Sequence, residues 1–93
     1  MKIIWSVRAR KELRAIRTYI ARDSEYYADR MVSRIIARVE AASLSPVSGH
    51  PVHEYPEAAL REVHEAPYRI IYLAGGGELQ IVTLVHFKQQ LPE

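Results

Sequence analysis

LREVHEAPYRIIYLAGGGELQIVTLVHFK, residues 60–88, is the stretch whose reading decides the fold. Three runs within it, Leu60–His64, Tyr68–Ala74 and Leu79–Phe87, are rich in Val, Ile, Leu and Tyr, the residues that suit a pleated, half-buried surface. Glu65-Ala66-Pro67 and Gly75-Gly76-Gly77 separate them, and both breaks are short enough for hairpins. The spacing therefore predicts an antiparallel meander of three strands. Simple alternation puts Tyr68, Ile70 and Tyr72 on one face, with Arg69, Ile71 and Leu73 on the other. In the last run Ile81, Thr83, Val85 and Phe87 oppose Val82, Leu84, His86 and Lys88. Both faces are apolar, yet helices can cover only one. The second face is expected to expose Ile71, Leu73, Val82 and Leu84, which points to a partner or a second copy.

Upstream, Ser45 to Glu57 cannot continue a helix, because Pro46, Pro51 and Pro56 withhold backbone donors and Gly49 lies among them. A surface loop is predicted there. Before it, Ala28, Met31, Val32, Ile35, Ile36, Val39 and Ala42 form one wide helical stripe, and Ala9, Leu13, Ile16 and Ile20 form another. Ser6 and Ser24 read as N-caps, the second followed by Glu25 in the first turn. The break at Asp23-Ser24 makes the two helices an antiparallel hairpin. Lys2 to Trp5, KIIW, reads as a short strand. The whole is a β-α-α-β-β-β chain, an α+β domain spanning residues 1–93. Its helical hairpin is expected on one face of a mainly antiparallel, four-stranded sheet.

Ninety-three residues make one domain, which buries only about 60–65% of its unfolded surface. With no cysteine there is neither a disulfide framework nor a thiolate metal site. The start, MKIIWSVRARKEL, turns charged too early for a signal peptide, and no run approaches the roughly 20 apolar residues of a membrane span. A cytoplasmic protein with no membrane association is expected. The net charge of +2 hides an asymmetry. Residues 1–43 hold ten Lys or Arg against five Asp or Glu, a net of +5; residues 44–93 hold three against six, a net of −3. Arg30, Arg34 and Arg38 stand at i, i+4 and i+8 as a basic ridge on the second helix, and Arg10, Arg14 and Arg17 make another on the first. Either ridge suits an acidic protein or a nucleic-acid backbone, or is simply a solvated face.

Chemistry-bearing residues are sparse. His50 and His53 have a ligand-like spacing but no further ligands close by, so no metal is expected. The glycine run lacks the helix and lysine of a phosphate loop, and no nucleophile elbow is present. No cofactor is called for. The best constellation is Glu62, His64, Arg69, His86 and Lys88 on the open sheet face, a set with which a ribonuclease could work.

In order and spacing these segments resemble the RelE/ParE superfamily of bacterial toxins. IIWSVRARKELRAIRTYIA is similar to its opening strand and helix, and LSPVSGHPVHEYP to its loop. The run LREVHEAPYRIIYLAGGGELQIVTLVHFKQQLP resembles that of the ParE branch. The resemblance implies a toxin of a type II toxin–antitoxin system, acting in growth inhibition and plasmid maintenance, in a hetero-oligomer with its antitoxin. ParE-type members are not enzymes but poison DNA gyrase; RelE-type members cleave mRNA on the ribosome. Arg69 matches the arginine shared by both branches. Leu60 and Glu62 stand where RelE itself has lysines, and Phe87 stands where nucleases of that branch bring a tyrosine. The ParE reading is therefore preferred, with the ridge Arg30, Arg34 and Arg38 as a target-binding surface. The alternatives are a ribonuclease using Arg69, His86, Glu62 and Lys88, or a non-toxic antitoxin-binding module. The antitoxin segment is expected over Arg61, Arg69, Ile71, Leu73, Leu84 and His86.

Overall fold

The computed structural model describes residues 1–91. Strand β1 (Lys2–Trp5) leads into helix α1 (Val7–Ala21), capped by Ser6, whose hydroxyl accepts from Ala9 N at 2.9 Å. Ser24 caps α2 (Glu25–Leu44) in the same way through Tyr27 N, with Glu25 at the positive end of the helix dipole. Then come β2 (His50–Pro51), β3 (Leu60–Glu65), β4 (Tyr68–Gly75) and β5 (Glu78–His86). Gly76 and Gly77 join the last two with φ of 59° and 78°, the doubly left-handed turn that matches strand twist and that L side chains resist.

The sheet has five strands in the order β1-β5-β4-β3-β2, one more than the sequence suggested. β1 lies parallel to β5; the other pairings are antiparallel. The additional strand comes from the proline loop. His50 pairs with Glu62 and Pro51 with Arg61, and Pro51 is tolerated because β2 is an edge strand. Tyr72 anchors the loop's start: its hydroxyl donates to Pro46 O and accepts from Gly49 N.

The helices cover one sheet face. Ala9, Ile35 and Val39 pack there on Tyr68, Ile70, Tyr72, Leu79, Ile81 and Leu84, with Trp5, Leu13 and Ile16 at the margin. Leu84 departs from simple alternation. Ile71 pairs with Thr83 but Tyr72 pairs with Ile81, so Val82 is an extra residue, a β-bulge. Beyond it every side chain of β5 changes face. Leu84 turns inward to 3% exposure, and His86 follows it to the helix side, edge-on to the Tyr68 ring at 5.7 Å. The bulge falls where β1 gives way to α1. There Ser6 Oγ donates to Val82 O, and the Glu12 carboxylate accepts from Leu84 N and the Thr83 hydroxyl. Side chains of α1 thus complete the edge that a longer β1 would have paired.

The opposite face is not bare. Val52, fully buried, packs with Ile71 and Val85, flanked by Leu60, Val82 and Leu91. Ile71 is only 2% exposed, and of the four residues expected in the open only Leu73, at 37%, stays there. The loop 52–59 and the tail supply the cover that the sequence pattern assigned to a partner. Among the described residues, no helix is long and apolar enough to cross a membrane.

Candidate functional site

Arg69, on β4, is the centre of a charged cluster on the loop-covered face. Its neighbour across the ladder is His64, and Glu62 lies two residues along the same face of β3. Glu54 reaches in from the loop. Its Oε2 and Oε1 accept from Arg69 Nη1 and Nη2 at 2.7 and 2.9 Å, a two-pronged pair. Glu62 forms a second one: Oε1 accepts from Nε at 3.0 Å, and Oε2 accepts from Nη2. His64 Nε2 lies 2.5 Å from Glu62 Oε1, and since an ionised carboxylate has no proton to give, the ring donates. His53 Nδ1 lies 3.2 Å from Glu54 Oε1 at the exposed margin.

The electrostatics follow from this geometry. The hydrogen bonds from Arg69 hold the Glu54 carboxyl down at about 2. Burial pushes the Glu62 carboxyl up, but the hydrogen bonds of Arg69 and His64 outweigh it and the net is a lowering. The two glutamates in turn drive the arginine higher than its ordinary value. Both acids are ionised at neutral pH and Arg69 is permanently charged. Glu54 and Glu62 together set two negative charges against the one positive charge of Arg69.

The set proposed for ribonuclease chemistry is not assembled. Glu62, His64 and Arg69 come together, but the bulge sends His86 to the other side of the sheet. Lys88 lies in the turn after β5, where its N–H donates to His86 Nδ1. Phe87 takes the place on the cluster's side, edge-on to His64 at 5.2 Å. Arg61 points to the helix side and donates to Gly49 O. Among the residues expected to meet an antitoxin, Ile71 and Leu84 are buried, Arg69 is 9% exposed, and Leu73 is open. Among the described residues no group of His, Asp and Glu is placed to hold a metal ion. Glu54 was missed, because no periodicity applies to a loop. One signal lay in Arg69 itself, whose five donors ask for more acceptors than Glu62 can give.

Beside the cluster runs a mostly apolar groove of about 210 Å³, lined by Arg8, Tyr55, Leu60, Ile71, Val82, Thr83 and Leu91. It lies between the start of α1 and the loop. The sequence of the family described as the ParE toxin of type II toxin–antitoxin system, parDE, matches residues 3–91. The chain belongs to the ParE toxin family. It is a toxin of a type II toxin–antitoxin system, with an antitoxin as partner. Among similar proteins, the toxin Y4kP of Sinorhizobium fredii is 34% identical over 99% of this chain and 94% of its own length. Toxin RelE2 of Caulobacter vibrioides is 37% identical over 91% and 93%. Two solved structures share the ParE fold. A chain of the chromosomal ParDE system from P. aeruginosa superposes with a TM-score of 0.77, at 23% identity, over 92% of this chain and 95% of that one. A YoeB/ParE toxin from Agrobacterium tumefaciens gives 0.66, at 20% identity, over 92% and 98%.

Proposed function

We propose that this toxin acts without enzymatic chemistry, by poisoning DNA gyrase, and that its antitoxin neutralises it from the loop-covered face of the sheet. One observation carries the choice over mRNA cleavage: Arg69 spends its guanidinium on Glu54 and Glu62. A nuclease needs that charge free for the phosphate, since phosphate contacts dominate affinity for RNA. The two carboxylates that hold Arg69 also stand where that phosphate would come. The separation of His86 from Arg69 by the sheet supports the same reading, because an acid and a cation must converge on one phosphate. For the antitoxin, the groove beside Tyr55 and Leu60 and the exposed Leu73 offer apolar contact, and Arg8 offers charge. The buried Ile71 lies on the groove's floor.

Two assays run side by side test the reading. Purified gyrase is challenged for supercoiling, and mRNA integrity is followed in a translation extract. The expected result is inhibited supercoiling with intact mRNA. Cut mRNA with undisturbed gyrase would overturn the reading in favour of the ribosome-dependent nuclease.

A further inference from the structure

The outer face of α2 carries a feature that the fold does not consume. Tyr26, Arg30 and Arg34 follow one another at helical spacing and line a shallow groove of about 420 Å³, with the small residues Ser33 and Ala37 among them. Tyr26 and Tyr27 are each 64% exposed and meet edge to face, 5.3 Å between centroids. The Arg30 guanidinium lies 5.8 Å from the Tyr26 ring centre and donates to its hydroxyl at 3.3 Å. Stacking therefore orients the Arg30 fork without neutralising it. Among the described residues no carboxylate pairs with Arg30 or Arg34, whereas Arg38, one turn on, reaches Glu65 at 3.5 Å and Arg17 takes Asp29 at 3.0 Å. Two large aromatic rings in water beside two unspent cations make no contribution to the core.

We propose that the Tyr26–Arg30–Arg34 face is the surface with which the toxin grips its target, and that the target presents a folded protein surface bearing carboxylates. The proposal rests on the toxin reading above and deepens it, for that reading names the target and this one the gripping surface. Tyrosine and arginine are the residues that anchor the centres of protein interfaces, where a ring fills a pocket and a fork meets a carboxylate. The small side chains of Ser33 and Ala37 let a partner come close to the helix. A nucleic acid is the outcome the test must separate from it, since an arginine fork meets a phosphate as readily as a carboxylate. The helices and the loop 52–59 lie on opposite sides of the sheet, so a target on α2 and a partner near Arg69 contact different residues.

The test compares the wild-type chain with Arg30→Glu/Arg34→Glu, with Tyr26→Ala and with Tyr26→Phe, which keeps the ring. Growth arrest on induction reads the surface whatever the target is, and inhibition of purified gyrase reads the target. All three positions, Tyr26, Arg30 and Arg34, are exposed, and thermal melting checks that each variant folds as the wild type does. The charge reversal and Tyr26→Ala are expected to lose about tenfold or more in both assays, the loss that removing an interface anchor brings, while Tyr26→Phe retains most activity. Folded variants that arrest growth like the wild type would overturn the proposal. A wild type that arrests growth and leaves gyrase untouched overturns the gyrase reading instead, and the growth arm alone then decides on the surface. Arrest by no form of the chain overturns both. Binding of a DNA duplex at physiological salt, abolished by the charge reversal, would overturn the protein partner in favour of a nucleic acid.

Discussion

Arg69 and the pair Arg30–Arg34 bring the same guanidinium group into opposite circumstances. Arg69 is nearly buried, and both flanking glutamates grip it. Arg30 and Arg34 stand in water on α2, one stacked on a tyrosine and neither paired with an acid among the described residues. A buried cation survives only with its charge met, so removing either side leaves the other stranded. An exposed cation contributes almost nothing to the fold and keeps its charge for an encounter. The contrast separates the arginine that builds this toxin from the arginines available to act.

The largest expected effect tests the first half of that contrast. Arg69→Met leaves Glu62 buried with His64 in place of its two-pronged cation, and should cost about 3–5 kcal/mol in urea unfolding. A loss below about 1 kcal/mol would mean that the cluster does not lock the loop to the sheet. Gly49→Ala disturbs the same loop from its other end. A Cβ there would lie 2.9 Å from Glu62 O and closer still to the Tyr72 hydroxyl, so about 1–3 kcal/mol should be lost, read by the same unfolding curve. Glu12→Ala deprives Leu84 N and Thr83 of their acceptor at the bulge and should cost about 1–3 kcal/mol. Finally, Arg30→Gln and Arg34→Gln should each stay within about 0.5 kcal/mol of the wild type. A larger drop would show that α2 needs them for stability.

The acid limb sharpens the comparison without a mutation. A carboxyl whose folded-state value is depressed contributes stability that is fully present above its unfolded-state value and is lost as the pH falls through the folded one. For Glu54 that window runs from 4.5 down to about 2, and Glu62 moves in the same direction. Melting temperature should therefore hold from neutral pH to about 5 and fall steadily below 4.5. Glu54→Gln should start from a lower plateau and show a shallower acid drop. An acid drop of unchanged depth in that variant would place the acid sensitivity elsewhere.

Most of the fold was legible in residues 1–44 and 60–86, where the caps at Ser6 and Ser24 and the two periodicities agree. Two things were not. The bulge at Val82 has no signature of its own, since Ile81, Val82, Thr83 and Leu84 all suit a strand; only the end of β1, reached through Ser6 and Glu12, explains it. One such residue was enough to carry Leu84 and His86 to the face opposite to the one their alternation indicates. The second was the course of residues 50–60. Prolines mark that segment as irregular without saying where it goes, so neither β2 nor the burial of Val52 nor the Glu54–Arg69 pairs could be read from it. The candidate site was half legible for the same reason: strand spacing gave Glu62, His64 and Arg69, and loop geometry supplied the rest.

The parallel pairing of β1 with β5 has a consequence for how the chain comes into being. Its first strand can find its ladder only after its last has left the ribosome, and the Glu12–Leu84 bond spans 72 positions of sequence. Contacts of that range close late and slowly. During synthesis the helical hairpin can form early, but the sheet on which it rests stays open until β5 is made. A nascent chain cut short before β5 therefore has no edge for β1 and lacks Leu79, Ile81 and Leu84 from the floor of its helices. The making of β5 is therefore the step on which the closing of the sheet depends.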